Sequence, residues 1–329
     1  MAPTASQFPL EEAPGSILIL KPSSLGDIVH TLPAVSALKR RWPAAAIRWL
    51  VNPEWAPLLL GNPAVDETLL FPRQSFRGIT GPLRLWRWAR AFGKAGAADL
   101  VLDFQCLLRS ALVGRFCRRS RFYGLSDARE GAGFFYDATA RVHSGMHAVD
   151  RYLALAEAVG APAALPLEWP LPPSTLPAGF IPGAPFVAVH PFSRGKGKSL
   201  SLDELRTLCE ALAPLRVVLV GRSEQVPAPL PHVENWLNRT DLLGLTALLR
   251  EAAWTVSVDS GPMHIAAALS SRVVSIHTWS NPSRVGPYPK DAWVWQNGAL
   301  FQRGRPETTL PLEGHAALGR WLGSRPEFV

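Results

Sequence analysis

The chain has 329 residues, of which 47% are hydrophobic and 18% are charged, which suits two globular domains with sizeable cores. No run of roughly 18 apolar residues suggests a transmembrane helix, the N-terminus lacks the pattern of a signal peptide, and the three cysteines cannot all pair. We therefore expect a protein of the reducing cytoplasm. The net charge is +8, and this excess lies in the basic segment, residues 73–121, where ten arginines and one lysine face two aspartates.

Residues 17–35, ILILKPSSLGDIVHTLPAV, contain the first predicted strand, its loop and the start of a helix. The apolar run 17–20 predicts a buried strand. Ligands of an open α/β sheet bind where a strand ends and its loop begins. In this loop, residues 21–27, Gly26 permits a close approach of a ligand to the backbone, and Asp27 supplies a carboxylate. The loop is therefore a candidate active site, and the alternative role of Asp27 is a simple helix cap.

The rest of the first half alternates strand and helix patterns. Strands are predicted at residues 47–51 and 100–104, and helices at residues 33–41 and 148–159. Alternating strands and helices indicate a parallel sheet with helices on both faces. The first half is therefore expected to form a Rossmann-like α/β domain.

The basic segment is expected to attract an anionic substrate, an anionic membrane or nucleic acid. Arg84, Arg87 and Arg90 have helical spacing and are expected to form a solvated helix face. Trp86 and Trp88 lie between these arginines, so the alternative is an amphipathic helix at a membrane surface.

Residues 161–185 contain eight prolines. Proline at this density sustains neither a helix nor a central strand, so the segment is predicted to be a hinge between two domains. We predict an N-terminal domain of residues 1–170 and a C-terminal domain of residues 171–329. We also consider that the last helix of the chain packs back on the N-terminal domain.

The second half repeats the alternation without a close sequence repeat. Strands are predicted at residues 186–190, 215–220, 255–258 and 273–277. One helix is predicted after Ser201, which can form a capping box with Glu204. Further helices are predicted after Asp241 and at residues 262–269. The second half is therefore expected to be a second Rossmann-like domain.

Polar side chains gather after three of these strands, and because the carboxyl ends of parallel strands share one edge we expect them to line one site. They are Ser193, Arg194, Lys196, Lys198, Glu224, Asp259 and His264. The basic loop, residues 193–198, has two glycines and three cations and is predicted to cradle an anion; its alternative role is a mobile surface loop. The helix start near residue 262 would bind phosphate through its N–H groups, and the alternative there is simple capping by Asp259 or Ser260.

Several well-known motifs are absent from the sequence. No GxGxxG follows the first strand, and neither a GxSxG elbow nor a P-loop occurs. The DxD, HExxH and CxxC patterns are also missing, so no metal and no cofactor are predicted. The interpretation that fits is binding of a phosphorylated ligand by Lys, Arg and backbone N–H groups.

Taken together, these loops resemble glycosyltransferase family nine, the ADP-heptose:lipopolysaccharide heptosyltransferases. KPSSLGDIVHTLP at residues 21–33 resembles the N-terminal signature, and DFQCLLRSA at residues 103–111 is similar to the family's aspartate–glutamine–glycine loop, with Cys106 where glycine is usual. Residues 128–130, 134–136 and 147–151 resemble the heptosyltransferase I branch. The C-terminal matches, in order and spacing, are residues 190–198, 221–224, 259–264 and 286–288.

This resemblance implies a GT-B fold, in which two Rossmann-like domains with parallel sheets face each other across a cleft. It implies an inverting, metal-independent transfer of heptose from ADP-heptose to an anionic glycolipid acceptor of the lipopolysaccharide inner core, of the Kdo–lipid A type. The expected enzyme is a monomer that binds no nucleic acid and works peripherally on the cytoplasmic face of the inner membrane.

The resemblance also assigns roles to residues. Asp27 is the implied general base, which takes the proton of the acceptor hydroxyl, and Lys198 contacts the donor phosphates. The other implied donor-site residues are Ser193, Arg194, Lys196, Glu224, Asp259, Ser260, Gly261, Met263 and His264. The implied acceptor-site residues are Ser23, Ser24, Gly26, Arg73, Gln105, Arg109, Arg129 and His147. Closure about the proline-rich hinge would bring Asp27 and Lys198 together.

Two alternatives follow from the same residues. The family usually has an aromatic residue and a proline shortly after the donor lysine, whereas Ser-Leu-Ser follows Lys198 here. The first alternative is therefore the same fold acting on a UDP- or GDP-linked hexose for a different surface glycan. The second is a non-enzymatic module that binds a membrane or nucleic acid through the basic segment, and it leaves the clustered loops of the second half without a role.

Overall fold

The computed structural model describes residues 9–10, 12–225 and 227–328. Residues 1–8 and 11, part of the start that we predict not to be a signal peptide, lie outside the described residues. The chain divides into two compact units, Met1–Pro172 and Pro173–Val329. This division falls inside the proline-rich segment, in which no helix or strand occurs. Among the described helices, none has the length and apolar character needed to cross a membrane.

The first unit contains a six-stranded parallel sheet. Its strands are β1 (Ser16–Leu20), β2 (Ala46–Val51), β3 (Glu67–Leu70), β4 (Ala98–Asp103), β5 (Arg119–Leu125) and β6 (Ala138–Ala140). Its α-helices are α1 (Leu25–Arg41), α2 (Gly81–Ala95), α3 (Leu108–Phe116) and α4 (Ala148–Ala158). The strand order is β3-β2-β1-β4-β5-β6, and every neighbouring pair is parallel. The order reverses between β1 and β4, the place where ligands of such sheets bind.

The second unit repeats this arrangement and extends it. Its strands are β7 (Phe186–His190), β8 (Arg216–Leu219), β9 (Val233–Asn235), β10 (Trp254–Val258), β11 (Val273–His277), β12 (Trp293–Gln296), β13 (Ala299–Gln302) and β14 (Arg305–Pro311). Its α-helices are α5 (Leu202–Leu212), α6 (Leu242–Glu251), α7 (Gly261–Leu269), α8 (Pro282–Val285) and α9 (Gly314–Gly323). The order is β14-β13-β12-β11-β10-β7-β8-β9, so the reversal lies between β7 and β10. Strands β13 and β14 are antiparallel additions at one edge.

The predicted elements are present in both units, which confirms two Rossmann-like α/β halves. The central strand β1 is buried along Ile17–Leu20, as expected for a parallel strand covered on both faces. Ser201 and Asp241 cap α5 and α6 through their side chains. The sequence patterns missed β3, β5, β6, β9, β12, β13 and β14, which include interior strands as well as edge strands. Short or exposed strands carry little apolar periodicity, and β5 begins with the partly buried Arg119 and two exposed residues.

The last helix, α9, packs on α5 of its own unit. Its packing on the N-terminal domain stays a prediction. Leu318 and Leu322 of α9 are buried in one apolar cluster with Leu205 and Leu208 of α5. Gly319 permits this close approach, since a Cβ atom there would lie 2.7 Å from the Cβ of Ala211.

Candidate active site

The loop after β1 holds Asp27 through the hydrogen bonds that begin helix α1. Ser24 is the N-cap residue and Asp27 is the third residue of the helix, the two positions of a capping box. The Ser24 N–H and Oγ both donate to Asp27 Oδ2, at 3.1 and 2.7 Å. Gly26 is buried in the first turn between them. Asp27 therefore caps the helix and also presents a carboxylate at the end of β1.

A buried lysine and a buried tyrosine approach the other oxygen of Asp27. Lys21 Nζ donates to Phe104 O at 2.9 Å and to Tyr152 Oη at 2.8 Å. Tyr152 Oη in turn donates to Asp27 Oδ1 at 2.9 Å, and Lys21 Nζ lies 3.8 Å from the same oxygen. Sequence reasoning missed both residues, because Tyr152 has the spacing of a core residue in α4. A lysine directly after a buried strand is the signal that could have identified Lys21.

These contacts set the protonation state of Asp27. Burial raises the pKa of this carboxyl, but the Lys21 charge and the hydrogen bonds from Ser24 and Tyr152 outweigh it and hold the pKa below its ordinary value. Burial lowers the pKa of Lys21, although Asp27 favours its charged form. Burial also raises the pKa of Tyr152, which stays a neutral donor. The Asp27 side chain is 36% exposed and that of Lys21 only 3%, and Tyr152 is buried. Of these three titratable groups, Asp27 is therefore the one that a ligand can reach.

A small pocket of about 110 Å³ opens beside this loop, at the carboxyl edge of the first sheet. It brings together four of the predicted acceptor-site residues, Ser23, Arg73, Gln105 and Arg109. The Ser23 N–H donates to Gln105 Oε1 at 3.2 Å, which joins the loop after β1 to the loop after β4. Two arginines at the wall of a pocket suit an anionic ligand.

Two other predicted acceptor-site residues have different positions. His147 is buried at the start of α4, where its Nδ1 accepts a hydrogen bond from the Val149 N–H at 3.2 Å. The role of His147 as an acceptor contact stays a prediction. Arg129 has an exposed side chain, and its N–H donates to Cys106 O at 3.0 Å. Neither residue lines the small pocket.

The loop after β4 is built on the buried carboxylate of Asp103. Its Oδ1 accepts from the N–H groups of Gln105 and Cys106, both at 2.9 Å. Its Oδ2 accepts from Ser110 Oγ at 2.8 Å and from Tyr136 Oη at 2.9 Å. Burial raises the pKa of Asp103 to about 6. Cys106 has a φ of +54°, a conformation that favours glycine, which explains why glycine suits this position.

In the second unit, the loops after β7 and β10 meet through an ion pair. Lys198 Nζ lies 2.5 Å from Asp259 Oδ2. Burial raises the pKa of Asp259, but hydrogen bonds from Lys198 and Ser280 outweigh it and keep the pKa below its ordinary value. The Asp259 side chain is 6% exposed and that of Lys198 is 20% exposed. Asp259 is therefore a buried anchor that orients a more accessible ammonium group.

A larger open pocket of about 490 Å³ adjoins the basic loop. Its wall includes three of the predicted donor-site residues, Ser193, Arg194 and Glu224, together with Arg222 and Asn238. Lys196 is exposed on the same loop. The size and the charged wall suit a nucleotide with phosphate groups.

The helix α7 start holds the remaining predicted donor-site residues. Gly261 is its first residue, and Ser260 Oγ lies 3.1 Å from Nδ1 of His190, whose pKa burial lowers to about 4. Met263 and His264 are buried. The Met263 side chain is fully buried, and its donor contact stays a prediction. Among the described residues, no three His, Cys, Asp or Glu side chains form a group that could hold a metal ion.

The family of the chain follows from comparison with known proteins. Residues 85–307 match the sequence profile of glycosyltransferase family 9 (heptosyltransferase). Lipopolysaccharide heptosyltransferase 1 of Pseudomonas aeruginosa is 31% identical, over 83% of this chain and 81% of that protein. The lipopolysaccharide core heptosyltransferase OpsX of Haemophilus influenzae is 26% identical, over 91% and 90%. The E. coli heptosyltransferase WaaC with ADP matches with a TM-score of 0.70 and 25% identity, over 85% of this chain and 93% of that one. With its two Rossmann-like units and this match across most of its length, the chain belongs to glycosyltransferase family 9, the heptosyltransferases.

Proposed function

We propose that the chain transfers heptose from ADP-heptose, with inversion, to an anionic glycolipid acceptor of the lipopolysaccharide inner core. One observation carries the proposal: each unit places a charged side chain beside a pocket whose lining suits one of the two substrates. In the first unit an ionised carboxylate lies beside an arginine-lined pocket. In the second unit an accessible ammonium group lies on a basic loop that lines a nucleotide-sized pocket. The names of the relatives, lipopolysaccharide heptosyltransferases, and the WaaC complex with ADP support the choice of substrates.

On the acceptor side, Asp27 is the proposed general base. It takes the proton of the acceptor hydroxyl as that oxygen bonds to the anomeric carbon of the sugar. Its Oδ1 and Oδ2 are oriented by Tyr152 and Ser24, so the carboxylate is held in place before the acceptor binds. Arg73 and Arg109 are the proposed contacts to the anionic groups of the acceptor.

On the donor side, Lys198 is the proposed contact to the diphosphate. The bond between the anomeric carbon and the diphosphate oxygen breaks, and its electron pair leaves with ADP. The negative charge that develops on the leaving oxygen is stabilised by the Lys198 ammonium, which Asp259 already orients. Attack from the face opposite to the leaving group inverts the anomeric centre.

We also infer that helix α2 carries the chain to an anionic membrane surface from the cytoplasmic side. Its inner side packs into the core, where Trp88 lies against Phe71 at 5.3 Å between ring centroids, and Phe71 also lines the small pocket. The membrane face, defined as a set of exposed residues just before and along α2, comprises Ile79, Leu83, Trp86, Arg84, Arg87 and Arg90. Apolar groups flanked by arginines suit the interface of an anionic bilayer. The small pocket adjoins this helix through Phe71.

The donor assignment is tested by a nucleotide panel followed by a transfer assay. We expect ADP to raise the melting temperature more than UDP or GDP, because a ligand that binds only the folded state stabilises it. We expect ADP-heptose to be consumed when a lipopolysaccharide inner-core acceptor is added. A preference for UDP or GDP would support the hexose alternative. Salt-dependent DNA binding with no nucleotide response would support the binding-module alternative.

Replacing Asp27 tests the general base. Asp27→Asn is expected to lower kcat by roughly 100- to 10,000-fold, because the amide cannot take the proton. Its ADP affinity, measured by calorimetry, should equal that of the wild type, since Asp27 lies in the first unit. The matched control is Asp66→Asn, which removes a carboxylate paired with Lys39 in the same unit and should leave kcat intact. Wild-type turnover by Asp27→Asn would refute the assignment.

Replacing the partners of Asp27 tests how its charge is maintained. Lys21→Met and Tyr152→Phe each remove a contact that lowers the pKa of Asp27, so the pKa rises in both variants. The base must be deprotonated, so the acid limb of the kcat/KM profile is expected to move to higher pH, further for Lys21→Met, which loses a full charge. Lys39→Met, which breaks the ion pair with Asp66, is the control and should leave this limb in place. An acid limb unmoved in both test variants would contradict the network.

Vesicle binding tests the membrane face. The protein is expected to sediment with phosphatidylglycerol vesicles but not with phosphatidylcholine vesicles, and added salt should release it, since each basic side chain near an anionic surface contributes about 1 kcal/mol. A Leu83→Glu, Trp86→Glu double variant should lose this binding. Ile181→Glu, at an exposed apolar residue of the second unit, should retain it. Equal binding to both vesicle types, or undiminished binding by the double variant, would argue against this surface.

A further inference from the structure

The basic loop is held in place by a loop that the sequence analysis did not single out. Thr278 and Trp279 follow β11 and lie against residues 196–198. Thr278 Oγ1 donates to Gly197 O at 2.8 Å, and Trp279 Nε1 donates to Lys196 O at 3.2 Å. Two consecutive carbonyl groups of the basic loop are therefore fixed by side chains from the end of β11, which is separated from β7 by β10 in the sheet.

Trp279 also contacts the charged end of Lys198. The Lys198 Nζ lies 4.9 Å from the centroid of the indole ring, in addition to its ion pair with Asp259. An ammonium group over an indole face is attracted by the negative face of the ring. Trp279 is 67% exposed, and its indole contacts both the backbone and the ammonium group of the basic loop.

These contacts matter because the basic loop has a flexible composition. Gly195 and Gly197 lie within it, and Gly197 has a φ of +72°. Glycine loses more conformational freedom than other residues when it is ordered. A trans peptide places its N–H opposite its C=O, so fixing Lys196 O also fixes the direction of the Gly197 N–H. The loop is thereby ordered before a ligand binds, which removes part of the entropic cost of binding.

We propose that Trp279 is a positioning residue for the donor diphosphate. The inference rests on the proposed function and deepens it, because Lys198 is the proposed diphosphate contact. The indole N–H holds the backbone of the basic loop, and the ring face holds the Lys198 ammonium near the leaving group. Thr278 fixes the next carbonyl along the loop.

The test compares two substitutions at Trp279 with a matched tryptophan elsewhere in the same unit. Trp279→Ala removes both the N–H and the ring, whereas Trp279→Phe keeps a ring face and loses only the N–H. The control is Trp295→Phe, because Trp295 Nε1 likewise donates to a carbonyl, Leu312 O, at 2.9 Å. Each variant is assayed for ADP affinity by calorimetry, for kcat and donor KM, and for melting temperature.

We expect Trp279→Ala to weaken ADP binding and to lower kcat/KM for the donor by about tenfold or more, since a small misplacement of a charge-stabilising group is costly. Trp279→Phe should recover a large part of kcat, because the ring still contacts Lys198, while the donor KM stays raised. Trp295→Phe should match the wild type in both constants. Wild-type ADP affinity and kcat/KM in Trp279→Ala would overturn the inference, as would an equal loss in the control.

The wild-type protein separates failure of this inference from failure of the proposed function. A wild type that binds ADP but does not consume ADP-heptose refutes the donor sugar, and the ADP affinities of the variants still decide the role of Trp279. If UDP or GDP binds better than ADP, the same comparison is made with that diphosphate. A wild type that binds none of the three refutes both proposals.

Discussion

Parallel strands bring the loops that follow them to one edge of a sheet, and a reversal of strand order opens a gap between two of those loops. Both units of this protein have such a reversal, between β1 and β4 and between β7 and β10. The loop with Asp27 and the loop with Gln105 flank the first gap, and the loops with Lys198 and Asp259 flank the second. The candidate site residues of each unit are close together because of this strand order.

The two gaps hold ion pairs of opposite arrangement. In the first unit the Lys21 side chain is buried, with 3% of its surface exposed, and its partner Asp27 is 36% exposed. In the second unit the Asp259 side chain is buried, with 6% exposed, and its partner Lys198 is 20% exposed. Each buried partner needs its counter-charge, because an unpaired charge in the interior is strongly unfavourable. The more exposed partner is thus fixed beside its counter-charge, a carboxylate in the first unit and an ammonium group in the second. This is the polarity that a base and a leaving-group contact require in the proposed reaction.

The loop after β4, which lines the small pocket, is held in place by Asp103 at a cost to the stability of the folded chain. The pKa of Asp103 is raised to about 6 by burial, so the folded chain binds its proton more tightly than the unfolded chain does. The contribution of Asp103 to stability therefore falls as pH rises from about 4 to 6 and stays reduced above that. Four hydrogen bonds to the carboxylate partly offset this cost and hold Gln105 and Cys106 in the conformation that shapes the pocket.

The sequence by itself determined the elements whose signals are local: the buried strand at 17–20, the capping box at Ser201, and the proline-rich division between units. Apolar periodicity and capping depend on residues three or four positions apart, so they are readable along the chain. Tertiary structure alone decided that Tyr152, 125 residues from Asp27, donates to it, and that Trp279, 83 residues from Lys196, holds the basic loop. Met263 and His147, two site residues implied by the family resemblance, are also buried in the tertiary structure. Contacts of this kind depend on the order of strands in a sheet, and no local pattern of residues specifies which distant side chains that order brings together.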